Sequence, residues 1–216
     1  MKKTTVISIL CVAVLFAASV ASAAQVSESF ETYADGAFTG NDFIKSRGVT
    51  IISSQASDGQ KALLMEDAGR PELIVSFQAV ENTPLVASVD IMPIATEQLW
   101  VGLMDGNRVG PYLTFHADGR IYAVPGQEGS DGPGKSIPII RYKAGTWYRV
   151  TIEVDKLASQ TYSVSVKPLI GAETKKVDIP FRYRASKLNA MKIWHTKDGV
   201  GSDFIDNIQI TISEDN

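Results

Sequence analysis

The chain is almost without cysteine: its 216 residues hold one, Cys11. That residue falls inside an N-terminal stretch of Lys2-Lys3, an apolar run from Val6 to Val20, and Ala21-Ser22-Ala23. A basic start, an apolar middle and an A-x-A site make a secretory signal peptide, residues 1–23, cleaved after Ala23. Leu10 stands where a lipoprotein signal needs a small residue before its cysteine, which excludes lipidation. Residues 24–216 therefore carry no thiol, and disulfides and thiolate metal sites are excluded with it. An exported, disulfide-free chain must be held by its core, and this length suits one domain with a full one. No second long apolar run follows, so no membrane-spanning helix is expected after cleavage. The formal charge of −3 becomes −5 once the two lysines of the peptide are removed, and no basic cluster offsets it. Nucleic acid is therefore not an expected partner. C-x-x-C, H-E-x-x-H and a Gly-rich phosphate loop after a strand are all missing. No stretch longer than two turns shows a helical apolar stripe.

What is present is alternation. Leu99, Val101 and Leu103 share one parity, against Trp100, Gly102 and Met104. Leu113 and Phe115 oppose Tyr112, Thr114 and His116, and Ile121 and Ala123 oppose Arg120, Tyr122 and Val124. Successive side chains of a strand point to opposite faces. One face of these strands is core. The other carries Trp, Tyr, His and Arg where a solvated face would carry Lys, Glu and Thr. Further β-rich runs lie at Leu73–Phe77, Leu85–Met92, Trp147–Asp155, Thr161–Lys167, Met191–His195 and Phe204–Ile212. Asp-Gly turn signals stand at 35–36, 58–59, 105–106, 118–119 and 198–199, Asp opening each turn and Gly taking positive φ. Many short strands with regular turns predict an all-β sandwich or barrel. Pro125–Pro138, rich in Gly and holding Glu128 and Asp131, reads as a long loop or lid.

Four segments together carry a resemblance. They are Ser29-Phe30-Glu31-Thr32-Tyr33, Asp58-Gly59-Gln60-Lys61-Ala62-Leu63, the strand Trp147–Asp155 with its partner Gln160–Val164, and Phe204-Ile205-Asp206-Asn207-Ile208. Their order resembles the concanavalin A-like lectin/glucanase superfamily, near the laminin G-like domains, over nearly the whole of residues 24–216. The resemblance implies a two-sheet antiparallel jelly roll whose concave face takes carbohydrate and whose first and last strands lie side by side. It also implies a structural calcium between those strands, which points to Glu31 and Asp206, with Asp203 and Asn207 in reach. The alternative for Asp206 is capping of backbone N–H groups in a turn.

The candidate ligand-binding residues are Trp100, Tyr112, His116, Arg120, Tyr122 and Trp194, whose rings would stack on sugars while Arg120 and His116 give hydrogen bonds. Trp100 and Trp194 have a second reading, cover by a loop such as Pro125–Pro138. The expected role is non-catalytic glycan binding in the periplasm or outside the cell. A polysaccharide lyase using His116, Tyr112 or Tyr122 with Arg120 is the alternative, and a protein-binding adhesion module is a third. Hydrolysis needs paired carboxylates. The strand motif E-x-D-x-x-E is broken here, since Glu153-Val154-Asp155 is followed by Ala158 where the second Glu belongs. Asp90 is the one outward acid assigned to the groove-side sheet. Trp147 and His195 read as structural.

Overall fold

Asp105-Gly106 and Asp118-Gly119 each turn a hairpin, with Gly106 at φ 57° and Gly119 at φ 76°. The structure, a computed structural model, describes residues 24–66, 69–96, 98–127, 130–195 and 201–213. The expected signal peptide with Cys11 and the expected Asp198-Gly199 turn lie outside the described residues. In chain order the strands are β1 Ala24–Glu28, β2 Gly36–Ala37, β3 Ile44–Arg47, β4 Val49–Ile52, β5 Ala62–Glu66 and β6 Glu72–Val80. They continue with β7 Leu85–Pro93, β8 Leu99–Asp105, β9 Arg108–His116, β10 Arg120–Ala123, β11 Gly126–Gln127 and β12 Ser130–Pro133. The last are β13 Ile137–Arg141, β14 Tyr148–Val154, β15 Thr161–Pro168, β16 Thr174–Pro180, β17 Leu188–His195 and β18 Ser202–Ile212.

Two antiparallel sheets result. One runs β16-β15-β14-β7-β18-β5-β4-β2, with β1 also pairing β18; the other runs β13-β10-β9-β8-β17-β6-β3. The first and last strands are thus neighbours, Glu28 opposite Ile208. The expected loop at 125–138 holds instead the ribbon β11-β12.

The parity argument predicts which side chains fill the space between the sheets. Leu99, Val101, Leu103, Leu113, Phe115, Ile121, Met191 and Ile193 from one sheet meet Val89, Ile91, Val150, Ile152, Val164 and Ile205 from the other, all fully buried. Burying each such side chain stabilises by about 1.5–3 kcal/mol. His195 enters this layer from β17 and pairs with Asp203 of β18 at 2.8 Å, both buried. Asp203 therefore ties the two sheets together across the core and is not placed to join Asp206. Burial pushes the Asp203 carboxyl above its ordinary value, against the pull of His195.

Two expectations about acidic residues fail, one on β18 and one on β7. Parity puts Asp206 with Phe204 on the core side, but the register shifts between Asp206 and Gln209, where Asn207 takes φ 47°. This bulge lets Ile205 and Ile208 both face inward, as bulges re-aim side chains. Phe204 packs outside the sheet with Ala62 and Met92, with Trp147 against them. Asp90 also moves: it lies on β7 of the other sheet, not on the sheet that carries Trp100.

Candidate functional site

Register places the outward aromatic residues of the seven-stranded sheet in rows. Trp194 is paired with Trp100, Trp100 with Thr114, and Thr114 with Tyr122, on β17, β8, β9 and β10. With strands ~4.8 Å apart, this row spans roughly 14 Å. Thr114, short and buried, stands between Trp100 and Tyr122. The Trp100 and Trp194 rings lie nearly parallel, 18° apart in tilt with centroids at 6.1 Å. That is the offset stacking aromatic pairs prefer, and it leaves part of each ring uncovered. Both tryptophans are half-buried.

Tyr112 belongs to the next row, with Lys192 and Gly102. Its ring centroid lies 5.2 Å from Trp100 and 6.4 Å from Trp194. Gly102 makes this possible. A Cβ there would stand 2.6 Å from Tyr112 Cβ and 2.5 Å from Val109 Cγ1. Three of the aromatic residues expected on one face, Trp100, Tyr112 and Trp194, are therefore in mutual contact.

Tyr112 itself is only 1% exposed. The connection between β16 and β17 covers it. The Arg182 N–H donates to the Gly110 carbonyl at 3.1 Å, laying this connection across the sheet. Arg182 Nη1 donates to the Tyr112 hydroxyl. Its guanidinium carbon lies 5.1 Å from the Tyr112 centroid and 5.2 Å from that of Tyr183, both within cation–π range. From the opposite sheet, the buried Tyr162 hydroxyl donates to the Tyr112 carbonyl at 2.8 Å. Burial raises the Tyr112 phenol above its ordinary value, with Arg182 pulling the other way. The Tyr112 hydroxyl oxygen thus serves as the acceptor for Arg182.

Beside this cover opens a cleft of ≈ 420 Å³ lined by Asn107, Arg108, Val109, Tyr112, Arg182, Tyr183 and Trp194. Arg182 and Tyr183 were not among the sequence candidates. They sit in a turn-rich segment with no strand period, and the interleaved Arg182-Tyr183-Arg184 was the available signal.

His116, Arg120 and Tyr122 form a separate group at the far end of the same face. The Tyr122 hydroxyl donates to Asp118 Oδ2 at 2.6 Å, and His116 Nδ1 lies 3.2 Å from Asp118 Oδ1. The Arg120 N–H donates to that same Oδ1 at 3.0 Å. Asp118 here organises its own hairpin turn. The Tyr122 hydroxyl first, then His116 and the Arg120 N–H, hold its carboxyl below the ordinary range. Tyr112 and His116 are four residues apart on β9, roughly 13 Å along the strand. The four lyase candidates therefore do not converge: His116, Arg120 and Tyr122 stay together, and Tyr112 stands apart.

The acids of the outer face of the nine-stranded sheet make a second polar cluster. Asp206, Asp90 and Arg149 are register neighbours on β18, β7 and β14. Arg149 grips Asp90 with two hydrogen bonds of 2.7 Å. Ser57, from the loop before β5, places its Oγ 2.8 Å from Asp90 Oδ2 and 2.9 Å from Asp206 Oδ2, and accepts from Asn207 Nδ2 at 2.9 Å. A hydroxyl has one proton and cannot donate to both carboxylates. A proton on Asp206 would supply the missing donor, and burial raises its carboxyl accordingly, against the N–H groups and hydroxyl around it. Asp206 also accepts from the Ser57 N–H at 2.9 Å, while Glu31 accepts from the Gln60 and Lys61 N–H groups at 2.9 and 2.8 Å. Glu31 and Asp206 thus hold the two ends of one loop, each filled by backbone donors. This is the capping alternative: Glu31 Oε1 and Asp206 Oδ2 each accept from backbone N–H groups of that loop. Among the described residues no group of three or more His, Cys, Asp or Glu is placed to hold a metal.

No family model matches this chain, and no curated protein matches it. Solved structures do. An alginate lyase from Aplysia kurodai superposes with a TM-score of 0.58 at 12% identity, over 88% of this chain and 100% of its own. A glucuronan lyase from Trichoderma reesei gives 0.58 at 12%, over 88% and 96%, and peanut lectin gives 0.54 at 14%, over 87% and 97%. The fold is a concanavalin A-like jelly roll. Its chain spans only 16% of a sialidase that it also matches, at a TM-score of 0.56. At these identities the likenesses speak for the jelly roll alone. No helix among the described residues is long and apolar enough to cross a membrane.

Proposed function

We propose that this jelly roll is an exported, non-catalytic carbohydrate-binding domain that takes a polysaccharide across the outer face of its seven-stranded sheet. The observation that carries the reading is the row Trp194–Trp100–Thr114–Tyr122, with partly uncovered indoles at one end. Indole faces offer apolar area to the C–H face of a sugar ring, and neighbouring polar groups reach its hydroxyls. That the fold is shared with lectins and polysaccharide lyases supports a carbohydrate ligand. The Lys2-Lys3 start, the apolar run and the Ala21-Ser22-Ala23 site support export.

The test is affinity electrophoresis through gels holding a panel of polysaccharides, with Trp194→Ala alongside. Retardation by at least one polymer, lost in the variant, is the expected result. Unretarded migration on every polymer removes the proposal.

A lyase reading has one observation in its favour, the His116 and Tyr122 side chains grouped on Asp118, whose carboxyl also accepts the Arg120 backbone N–H. A lyase would have Arg120 neutralise a uronate carboxylate while His116 or Tyr122 moves the proton. Its test is the near-ultraviolet absorbance of unsaturated uronate products. Their release by the wild type, but not by His116→Ala, would replace the non-catalytic reading.

A further inference from the structure

The arginines around the Tyr112 cleft are the feature that the aromatic row leaves unexplained. The chain is acidic, with a formal charge of −3. Yet the cleft of Asn107, Arg108, Val109, Tyr112, Arg182, Tyr183 and Trp194 has two arginines in its wall and no carboxylate. An adjoining cleft shares Asn107 and Arg108 and adds Arg184. Its one acid, Asp105, accepts from the Ser186 N–H and hydroxyl at 2.8 and 3.0 Å. On the other flank of Trp194, Glu72 is taken by Lys192 at 2.7 Å and Arg47 at 3.4 Å. Among the described residues none of Arg108, Arg182 and Arg184 has a carboxylate partner.

Arg182 is the most constrained of the three. Its guanidinium is flanked by the Tyr112 and Tyr183 rings and tethered through Nη1 to the Tyr112 hydroxyl. A guanidinium has five N–H donors, and this one spends a single donor on a hydrogen bond to a described residue. Its Nε is buried without a hydrogen-bond partner. A held, half-buried cation with no counter-ion is costly in the free protein and favours an anion that arrives with its ligand. A rigid, planar donor fork matches a carboxylate better than a lysine would.

We propose that this cleft is the subsite for a carboxylate-bearing sugar, a uronate residue, within an acidic polysaccharide. Arg182 binds the carboxylate, Arg108 adds a second charge from the β8–β9 hairpin, and Trp194 receives the sugar ring. The inference rests on the carbohydrate-binding reading above and narrows it to one ligand class. It also assigns the charge recognition to Arg182 and Arg108, not to Arg120 at the far end of the face.

The experiment compares binding of the full chain to polygalacturonate and alginate, to the same polymers after chemical reduction of their carboxyl groups, and to a sulfated galactan. Carboxyl reduction is expected to weaken binding about tenfold or more, in line with loss of a charged hydrogen bond. Arg108→Gln and Arg182→Gln should each reproduce much of that loss on the intact uronate polymers and change binding to the reduced ones little. Arg182→Gln disturbs Tyr112, so the exposed Arg108 and the polymer chemistry keep the test independent of folding. Equal binding to intact and reduced polymers would overturn the subsite while leaving carbohydrate binding in place. Stronger binding to the sulfated galactan than to any uronate would overturn it too. No binding to any of these polymers, with binding to another neutral glycan, refutes the subsite alone, and no binding to any glycan removes the broader reading as well.

Discussion

Replacing Arg149 by Met keeps the stem of the side chain and removes the cation that, among the described residues, pairs with the buried Asp90 beside the buried Asp206. Asp90 is 1% exposed and Asp206 fully buried, and Arg149 donates both of its 2.7 Å bonds to Asp90. Breaking a buried pair by removing one partner costs about 3–5 kcal/mol, because the remaining charge stays buried and uncompensated. The Arg149 side chain is itself 42% exposed, so water shares in its interaction. That places the expected loss near the lower end, about 3 kcal/mol, which for a domain of this size lowers the melting midpoint by about 6–12 °C. The loss must also depend on pH. The Asp206 carboxyl is raised, so it takes up its proton early as pH falls; this removes one of the charges that Arg149 offsets, and the gap between wild type and variant should narrow. Arg149→Met combined with Asp90→Asn should recover much of the stability, since the uncompensated charge is then gone. Urea unfolding followed by tryptophan fluorescence reads all three proteins. A loss under about 1 kcal/mol at pH 7, or a loss that stays constant with pH, would refute the reasoning.

Three further outcomes follow from the same geometry. Asp206 has a raised carboxyl, so the folded state binds its proton more tightly than the unfolded chain does. Its contribution is present at acid pH and is lost as pH rises from about 3.9 through the raised folded value. The stability of wild type relative to Asp206→Asn should therefore fall across that window, and a flat or rising difference would contradict the assignment. Gly102→Ala forces a Cβ against Tyr112 Cβ, Val109 Cγ1 and the Pro111 carbonyl. It should cost about 1–3 kcal/mol and alter the near-ultraviolet circular dichroism of the tryptophan pair; an unchanged spectrum and midpoint would count against close packing there. Adding a chelator should leave the melting midpoint where it was, because Glu31 and Asp206 hold their loop through backbone N–H groups without an ion; a drop would show a bound ion that stabilises by mass action.

Strand parity was readable because the period of two survives wherever a strand is regular. Leu99 to Met104 and Tyr112 to His116 place every side chain on the expected face. Parity failed at Asp206 because a single extra residue at a bulge reverses the alternation beyond it, and Asn207 gives no unmistakable sign of one. Asp90 and Arg149 each read as outward, but nothing local to either strand says that β7 and β14 are neighbours. Pairing across long separations is set by the whole sandwich. The same limit applies to Arg182. Its position over Tyr112 depends on the β16–β17 connection folding back onto the other sheet, a contact between residues 70 apart in sequence.

The central claim is that the Trp100–Trp194 face receives polysaccharide. Its most direct measurement is titration of tryptophan fluorescence with a soluble uronate polymer, using wild type and Trp194→Ala. The account predicts a saturable change in the wild type and an affinity at least about tenfold weaker in the variant, the loss expected when a stacking ring is removed. Saturable binding of equal strength in both proteins would contradict it, because the polymer would then be held somewhere other than this face.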